Sequence, residues 1–171
     1  MPNTAQTEEW NGATGTFWAA HDERYDATLR PLTERLFAAT PIAATDHVLD
    51  VGCGCGNTTR IAAKRANQAT TLGVDLSEPM LAQARLRSDQ QGLTNVWYER
   101  ADVQTHDLGA SRFDMVISRP LRGPEQTAPH TSAHTRRRPR VTPRASRSRR
   151  WLPTPSPGSG RRHESWIAGA Q

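Results

Sequence analysis

Cysteine is almost absent from this chain, and aromatic residues and long apolar runs are scarce. The two cysteines, Cys53 and Cys55, stand two apart with no histidine cluster beside them. A zinc site needs about four ligands, so no metal site is expected. The pair sits in a turn that must stay open, which argues for reduced thiols and a cytoplasmic setting rather than a disulfide framework. No apolar run approaches the roughly 20 residues that span a bilayer, so no membrane partner is expected. The opening residues, Met1 to Glu9, lack both a basic n-region and an apolar h-region, which predicts no secretory signal. Aromatics make up 6% of the chain. They are hardly interleaved with the arginines, which weighs against base stacking on nucleic acid.

Negative charge is scarce in one part only. Residues 120–171 hold 11 arginines against Glu125 and Glu164, a net of +9, whereas residues 1–119 carry a net of −4. The overall +5 and pI near 10.2 would by themselves suggest an anionic partner. The segregation assigns that signal to the tail alone. Eight of the 12 prolines also lie there, and its strongly apolar residues are few. Such a segment cannot offset its ordering entropy by burial and is expected to be disordered. The runs Arg136-Arg137-Arg138 and Arg147 to Arg150 keep a phosphate-binding tail as an alternative function.

Between these extremes the first 119 residues are strongly patterned. Trp18, His21, Tyr25 and Leu29 recur at helical spacing over residues 13–29. Pro31 suits the first turn of a second helix that buries Leu32, Leu36 and Phe37. Then follow a strand over Val48 to Val51, a helix from Asn57 to Arg65, and a strand over Thr70 to Asp75. Ser77 can cap a helix from Glu78 to about Arg87 with Met80, Leu81 and Ala84 as its apolar stripe. Asn95 to Glu99 and Asp114 to Ser118 read as two further strands. This alternation predicts an α/β protein with a parallel sheet. From Pro120 onward neither period is present.

The chemistry concentrates at Asp50-Val51-Gly52-Cys53-Gly54-Cys55-Gly56. Glycines at alternate positions let a ligand pass close to the backbone, and the helix starting near Asn57 aims free N–H groups at it. Asp75, at the tip of the second strand, can accept both hydroxyls of a ribose. A dinucleotide fingerprint would place a third glycine where Asn57 stands. A nicotinamide-dependent oxidoreductase is therefore the alternative rather than the first reading.

The Gly-x-Gly-x-Gly spacing after Asp50 resembles motif I of the class I S-adenosylmethionine-dependent methyltransferases. Val74-Asp75-Leu76-Ser77-Glu78-Pro79-Met80-Leu81 resembles the family's second motif. Ala101-Asp102-Val103 resembles its third, and Phe113 to Arg119 its fourth, in the family's order and at its intervals. The resemblance covers roughly residues 10–119. It implies a Rossmann-like, doubly wound parallel sheet, incomplete on its C-terminal side, S-adenosylmethionine as cofactor, and a small-molecule methyl acceptor, with a chain that keeps the cofactor-site residues but is inactive as an equal reading. Three regions follow: a helical lid at 1–40, a cofactor-binding core at 41–119, and the tail at 120–171.

The resemblance also implies the cofactor site. Asp50, Gly52, Cys53, Gly54 and Gly56 would cradle the amino-acid portion, with Gly54 closest. Asp75 would take the ribose. Leu76 and Met80 would flank the adenine, with core packing an equal reading for Met80. Asp102 would read the adenine amino group and Val103 offer a backbone contact. Ser118 and Arg119 sit where the fourth strand delivers its tip to the active site, and an anionic group of the substrate is one reading for Arg119, although the chain leaves the family pattern there. The aromatic helix before the core is either a lid or an ordinary packed helix. No catalytic base and no oligomeric state are assigned. The break in pattern at Arg119 motivates a further expectation, that residues 120–171 are an out-of-frame reading of the rest of such a domain.

Overall fold

The computed structural model describes residues 4–109 and 112–119, and the backbone of a strand at 132–135. Three helices come first: α1 (Thr4–Asn11), α2 (Ala13–Ala20) and α3 (Asp22–Ala39). The core follows as β1 (Val48–Val51), α4 (Asn57–Arg65), β2 (Thr71–Asp75), α5 (Glu78–Gln90), β3 (Val96–Arg100) and β4 (Met115–Ser118), with β5 (Ser132–Thr135) after it. The sheet order is β3-β2-β1-β4-β5. β1 to β4 are mutually parallel, as the strand–helix alternation predicts, so their C-terminal tips share one edge.

Alternation along the strands divides the core. Val48, Met115 and Ile117 join Leu36 and Phe37 of α3 and Ala62 of α4 in one cluster. Leu49, Leu72, Val74 and Val116 turn to a second cluster with Trp97, Leu108 and Phe113. Both faces of β1 are thus covered, which is why the neighbours Val48 and Leu49 are both buried. Ser77 caps α5, its hydroxyl accepting from the N–H of Met80 at 3.4 Å. Met80, Leu81 and Ala84 form the buried stripe of that helix.

Two expectations are corrected. Pro31 does not open a helix; it lies inside α3, and the break falls at His21 instead (φ −120°, ψ 24°). Proline lacks the N–H of an internal turn. That loss is outweighed by anchors on both sides: Asp22, ion-paired to Arg87 at 2.8 Å, and the buried Leu36 and Phe37. The second correction concerns the region after Arg119, where no regular element is expected. β5 forms there, antiparallel to β4 with Ser118 opposite Ser132 and Met115 opposite Thr135. A bare strand edge offers unpaired N–H and C=O groups, and Ser132-Ala133-His134-Thr135 contains no proline to interrupt pairing. The remaining calls on residues 120–171, disorder, nucleic-acid binding and out-of-frame origin, lie outside the described residues.

Candidate active site

The tips of β1, β2, β3 and β4 carry Gly52, Asp75, Asp102 and Arg119 to one edge of the sheet. In open α/β sheets this edge is where ligands bind. Gly52, Gly54 and Gly56 all adopt positive φ (69°, 54° and 75°). The N–H groups of Gly52 and Cys53 both bond to the carbonyl of Val74, at 2.9 and 3.1 Å, which fastens the loop to β2. The Gly54 N–H donates to Oδ2 of Asp75 at 2.8 Å. Oδ1 of Asp75 accepts from the Ser77 N–H at 2.9 Å. Asp75 is thus both the sequence-predicted ribose acid and the brace of the glycine loop. The N–H of Ala101 donates to the carbonyl of Asp75 at 3.0 Å, bringing the start of the Ala101-Asp102-Val103 segment beside it.

The glycines differ in their surroundings. A Cβ on Gly52 would enter open space, whereas one on Gly56 would strike the Tyr98 hydroxyl and approach Ala84 Cβ to 2.9 Å. Gly56 therefore has a packing reason of its own, which the sequence did not disclose.

Asp50 is corrected in its geometry. Its side chain does not line the cavity at this edge; it is fully buried, and its Oδ2 accepts from the hydroxyls of Thr58 and Thr59, each at 2.7 Å. It ties β1 to the first turn of α4. Oδ1 has no hydrogen-bond partner among the described residues, and burial, opposed by the two threonine bonds, raises its pKa to about 6. Ser118 is also engaged inside the sheet, its hydroxyl donating to the Val51 carbonyl at 2.9 Å. Burial pushes the Cys53 thiol well up and Cys55 up to about 12, so both remain neutral. Oδ1 of Asp102 accepts from the Gln104 N–H at 2.9 Å, closing a turn, and Val103 is exposed. The Leu76 carbonyl accepts from the Asn11 side chain at 2.8 Å.

A cavity of about 40 Å³ lies over the loop. Of the sequence-predicted residues it brings together Gly52, Cys53, Gly54 and Met80; Gly56, Asp75, Leu76, Asp102, Val103 and Ser118 lie outside its walls. The other walls come largely from residues that sequence reasoning did not place there: Asp22, Asp26, Leu29, Cys55 and Asn57, with Trp18, Tyr25 and Arg119. Trp18 stacks on Tyr25 with ring centroids 3.5 Å apart, and Trp10 meets Trp18 edge-on at 6.2 Å. Asp26 accepts from the Asn57 side chain at 2.8 Å and lies 3.7 Å from the Arg60 guanidinium. These contacts close α2 and α3 over the glycine loop. Periodicity marked the helices but carried no signal of which strand tip they would meet. Among the described residues no group of three or more His, Cys, Asp or Glu is placed to hold a metal ion, and no helix is long and apolar enough to cross a membrane.

The sequence profile of the methyltransferase domain family matches residues 48–137, more than half of the chain. The chain belongs to that family, whose methyl donor is S-adenosylmethionine, and the nicotinamide reading falls away. The match runs past Arg119 and takes in β5. The trans-aconitate 2-methyltransferase of Methylobacterium nodulans is 44% identical over 78 residues, 46% of this chain and 28% of that protein. Its counterpart from Delftia acidovorans is 50% identical over 91 residues, 52% of this chain and 32% of the relative. The chain thus spans about three-tenths of the length of these relatives. A solved complex of a methyltransferase activator with a methyltransferase of Haloferax volcanii shares the fold. Its TM-score is 0.54 at 23% identity, over 60% of this chain and 45% of that one.

Proposed function

We propose that this chain is the cofactor-binding part of an S-adenosylmethionine-dependent methyltransferase acting on a small, carboxylate-bearing metabolite. The observation that carries the reading is the Gly54–Asp75 brace, which joins a glycine loop and a ribose-type acid at the common tip of two parallel strands. The residues present fit the cofactor. The position above Gly52 is open, and each Asp75 oxygen has a lone pair left beyond its one backbone bond. Gly52, Cys53 and Gly54 would hold the amino-acid portion, with Gly56 shaping the loop and Asp50 fixing its base. Asp75 would hold the ribose. Leu76, Met80, Asp102 and Val103 would bound the adenine, and Ser118 would support the methyl-transfer side.

When bound, the sulfonium supplies an activated methyl group for in-line displacement. The chain's own contribution is position and exclusion of water. Met80 and the Trp18–Tyr25 stack form apolar walls above the loop. A cofactor-sized ligand needs about 300–1,000 Å³, so the 40 Å³ cavity describes a closed arrangement. The helices of residues 1–40 act as a lid that moves outward to admit ligand. A carboxylate acceptor is already an anion, so no general base is required. The carboxylate class rests on the names of the trans-aconitate methyltransferases. Both cysteines are free and neutral, as suits a cytoplasmic enzyme.

The test is calorimetry on the full chain with S-adenosylhomocysteine and, separately, NAD. Saturable binding of the first alone is expected. Binding of NAD with no response to the sulfonium-derived ligand would overturn the reading.

A further inference from the structure

Arg119 follows directly on β4, at the tip where Ser118 lies opposite Val51 of β1, and lines the cavity shared by Gly52, Gly54 and Met80. Its side chain is only 10% exposed. A guanidinium offers five N–H donors and stays charged in proteins, so burial demands partners for all of them. Few are supplied. Nη1 donates to the Thr33 hydroxyl at 2.6 Å. Nη2 stands 3.9 Å from Oδ1 of Asp26, beyond hydrogen-bond distance. Nε is buried with no partner among the described residues.

Asp26 is a shared counter-ion. Its Oδ2 takes the Asn57 amide and faces Arg60, while Asp22 adds a like charge nearby. It can release Arg119 and keep its other two partners. Asp50 attracts Arg119 as well, but among the described residues neither acid makes a hydrogen bond to it, and a buried cation with an unused donor on the wall of a cavity over the cofactor loop can take an anion that does.

We propose that Arg119 is the specificity-determining residue that binds a carboxylate of the methyl acceptor, which replaces Asp26 as its counter-ion when the helices open. The proposal rests on the methyltransferase reading above. A planar carboxylate matches the guanidinium fork in a bidentate way that Asp26 at 3.9 Å does not achieve.

The experiment titrates trans-aconitate into the full chain saturated with S-adenosylhomocysteine, for wild type, Arg119→Met, Arg119→Lys and Asp26→Asn. Arg119→Met is expected to weaken trans-aconitate binding at least tenfold while S-adenosylhomocysteine affinity stays within about twofold. Arg119→Lys should retain part of the binding, since it keeps the charge and loses the fork. Asp26→Asn should tighten it, because the competing carboxylate is gone. That variant decides the matter if Arg119→Met fails to fold. The trimethyl ester of the probe should bind wild type far more weakly than the acid. Equal binding of ester and acid overturns the proposal, as does an Asp26→Asn variant with no gain. So does an Arg119→Met variant that loses both ligands alike, the signature of a strut between β4 and α3. Wild type that binds S-adenosylhomocysteine but not trans-aconitate overturns the role of Arg119 and leaves the methyltransferase reading intact. Absence of S-adenosylhomocysteine binding overturns both.

Discussion

The carboxylate of Asp75 accepts the backbone N–H of Gly54 at 2.8 Å across 21 residues of sequence. Its other oxygen holds the N–H of Ser77. One side chain therefore sets the height of the glycine loop and the turn into α5, and its remaining lone pairs are what a ribose would meet.

Replacing Asp75 by Ala should weaken S-adenosylhomocysteine binding more than replacing Asp102. Two hydrogen bonds to a charged acceptor and the loop brace are lost in the first case, about 2–3 kcal/mol; one bond to a partly wet adenine is lost in the second, about 1 kcal/mol. Calorimetry on protein verified as folded by circular dichroism measures both. Equal and negligible effects would place the ligand elsewhere.

Gly52 and Gly56 should separate on substitution by alanine, although both have positive φ. Each pays the left-handed backbone cost of about 1–2 kcal/mol. Gly56→Ala adds a collision with the Tyr98 hydroxyl and Ala84, roughly 1–3 kcal/mol of overpacking. Tyr98 is tied to Ser88 at 3.0 Å and yields poorly. Gly56→Ala should therefore show the larger drop in denaturation midpoint. Gly52→Ala should fold and lose cofactor affinity, because its new methyl group occupies the open position over the loop. The reverse ranking would contradict this division of roles.

How far the sequence disclosed this site follows from the range of each interaction. The strands, α4 and the cap at Ser77 were legible because period and capping are local. The place of Asp75 at the tip of β2 was legible because the strand that carries it was. The Pro31 error arose because the anchors of α3, Arg87 on one side and the core on the other, are distant in sequence. The Asp26–Arg60–Asn57 contacts were invisible for the same reason, and the buried Asp50–Thr58–Thr59 cluster because no period or cap marks which way a strand-tip carboxylate turns. β5 was missed because a four-residue strand without alternating apolar residues carries no periodic signal. Its formation depends on the edge that β4 offers.

Asp50 should give folding a pH dependence opposite to that of a salt-bridged acid. Its pKa is about 6 in the folded chain against 3.8 as a free group, so between those values the folded state holds the extra proton. Stability from this group is therefore greatest below about pH 4 and falls as pH rises through 6, by roughly 2–3 kcal/mol. Asp22, lowered chiefly by its hydrogen bond to Arg87, contributes with the opposite sign, so the comparison must be differential. Urea denaturation of wild type and Asp50→Asn at pH 4 and pH 7.5 isolates the term. Relative to wild type, the variant should be more favourable at the higher pH. A difference between the two proteins that does not change with pH would mean that Asp50 titrates normally.

The N-terminal helices should depend on Asn11 for their grip on the core. Its amide donates to the Leu76 carbonyl at 2.8 Å, and its side-chain oxygen accepts from the Glu78 N–H at 3.0 Å. The Ser77 hydroxyl donates to the Trp10 carbonyl at 2.6 Å. These bonds fasten the end of α1 to the turn that follows Asp75, and the edge contact of Trp10 with Trp18 and the Trp18–Tyr25 stack continue the closure across the loop. Asn11→Ala removes two cross-element bonds and leaves the first turn of α5 one acceptor short, a cost of about 1–2 kcal/mol. Because α1 itself buries no residue, the loss should appear first as local opening. Amide exchange in residues 4–20 should speed up by more than tenfold while exchange in β1 and β2 changes little. Uniform acceleration across the sheet would show instead that α1 is part of the cooperative core rather than a separable cover.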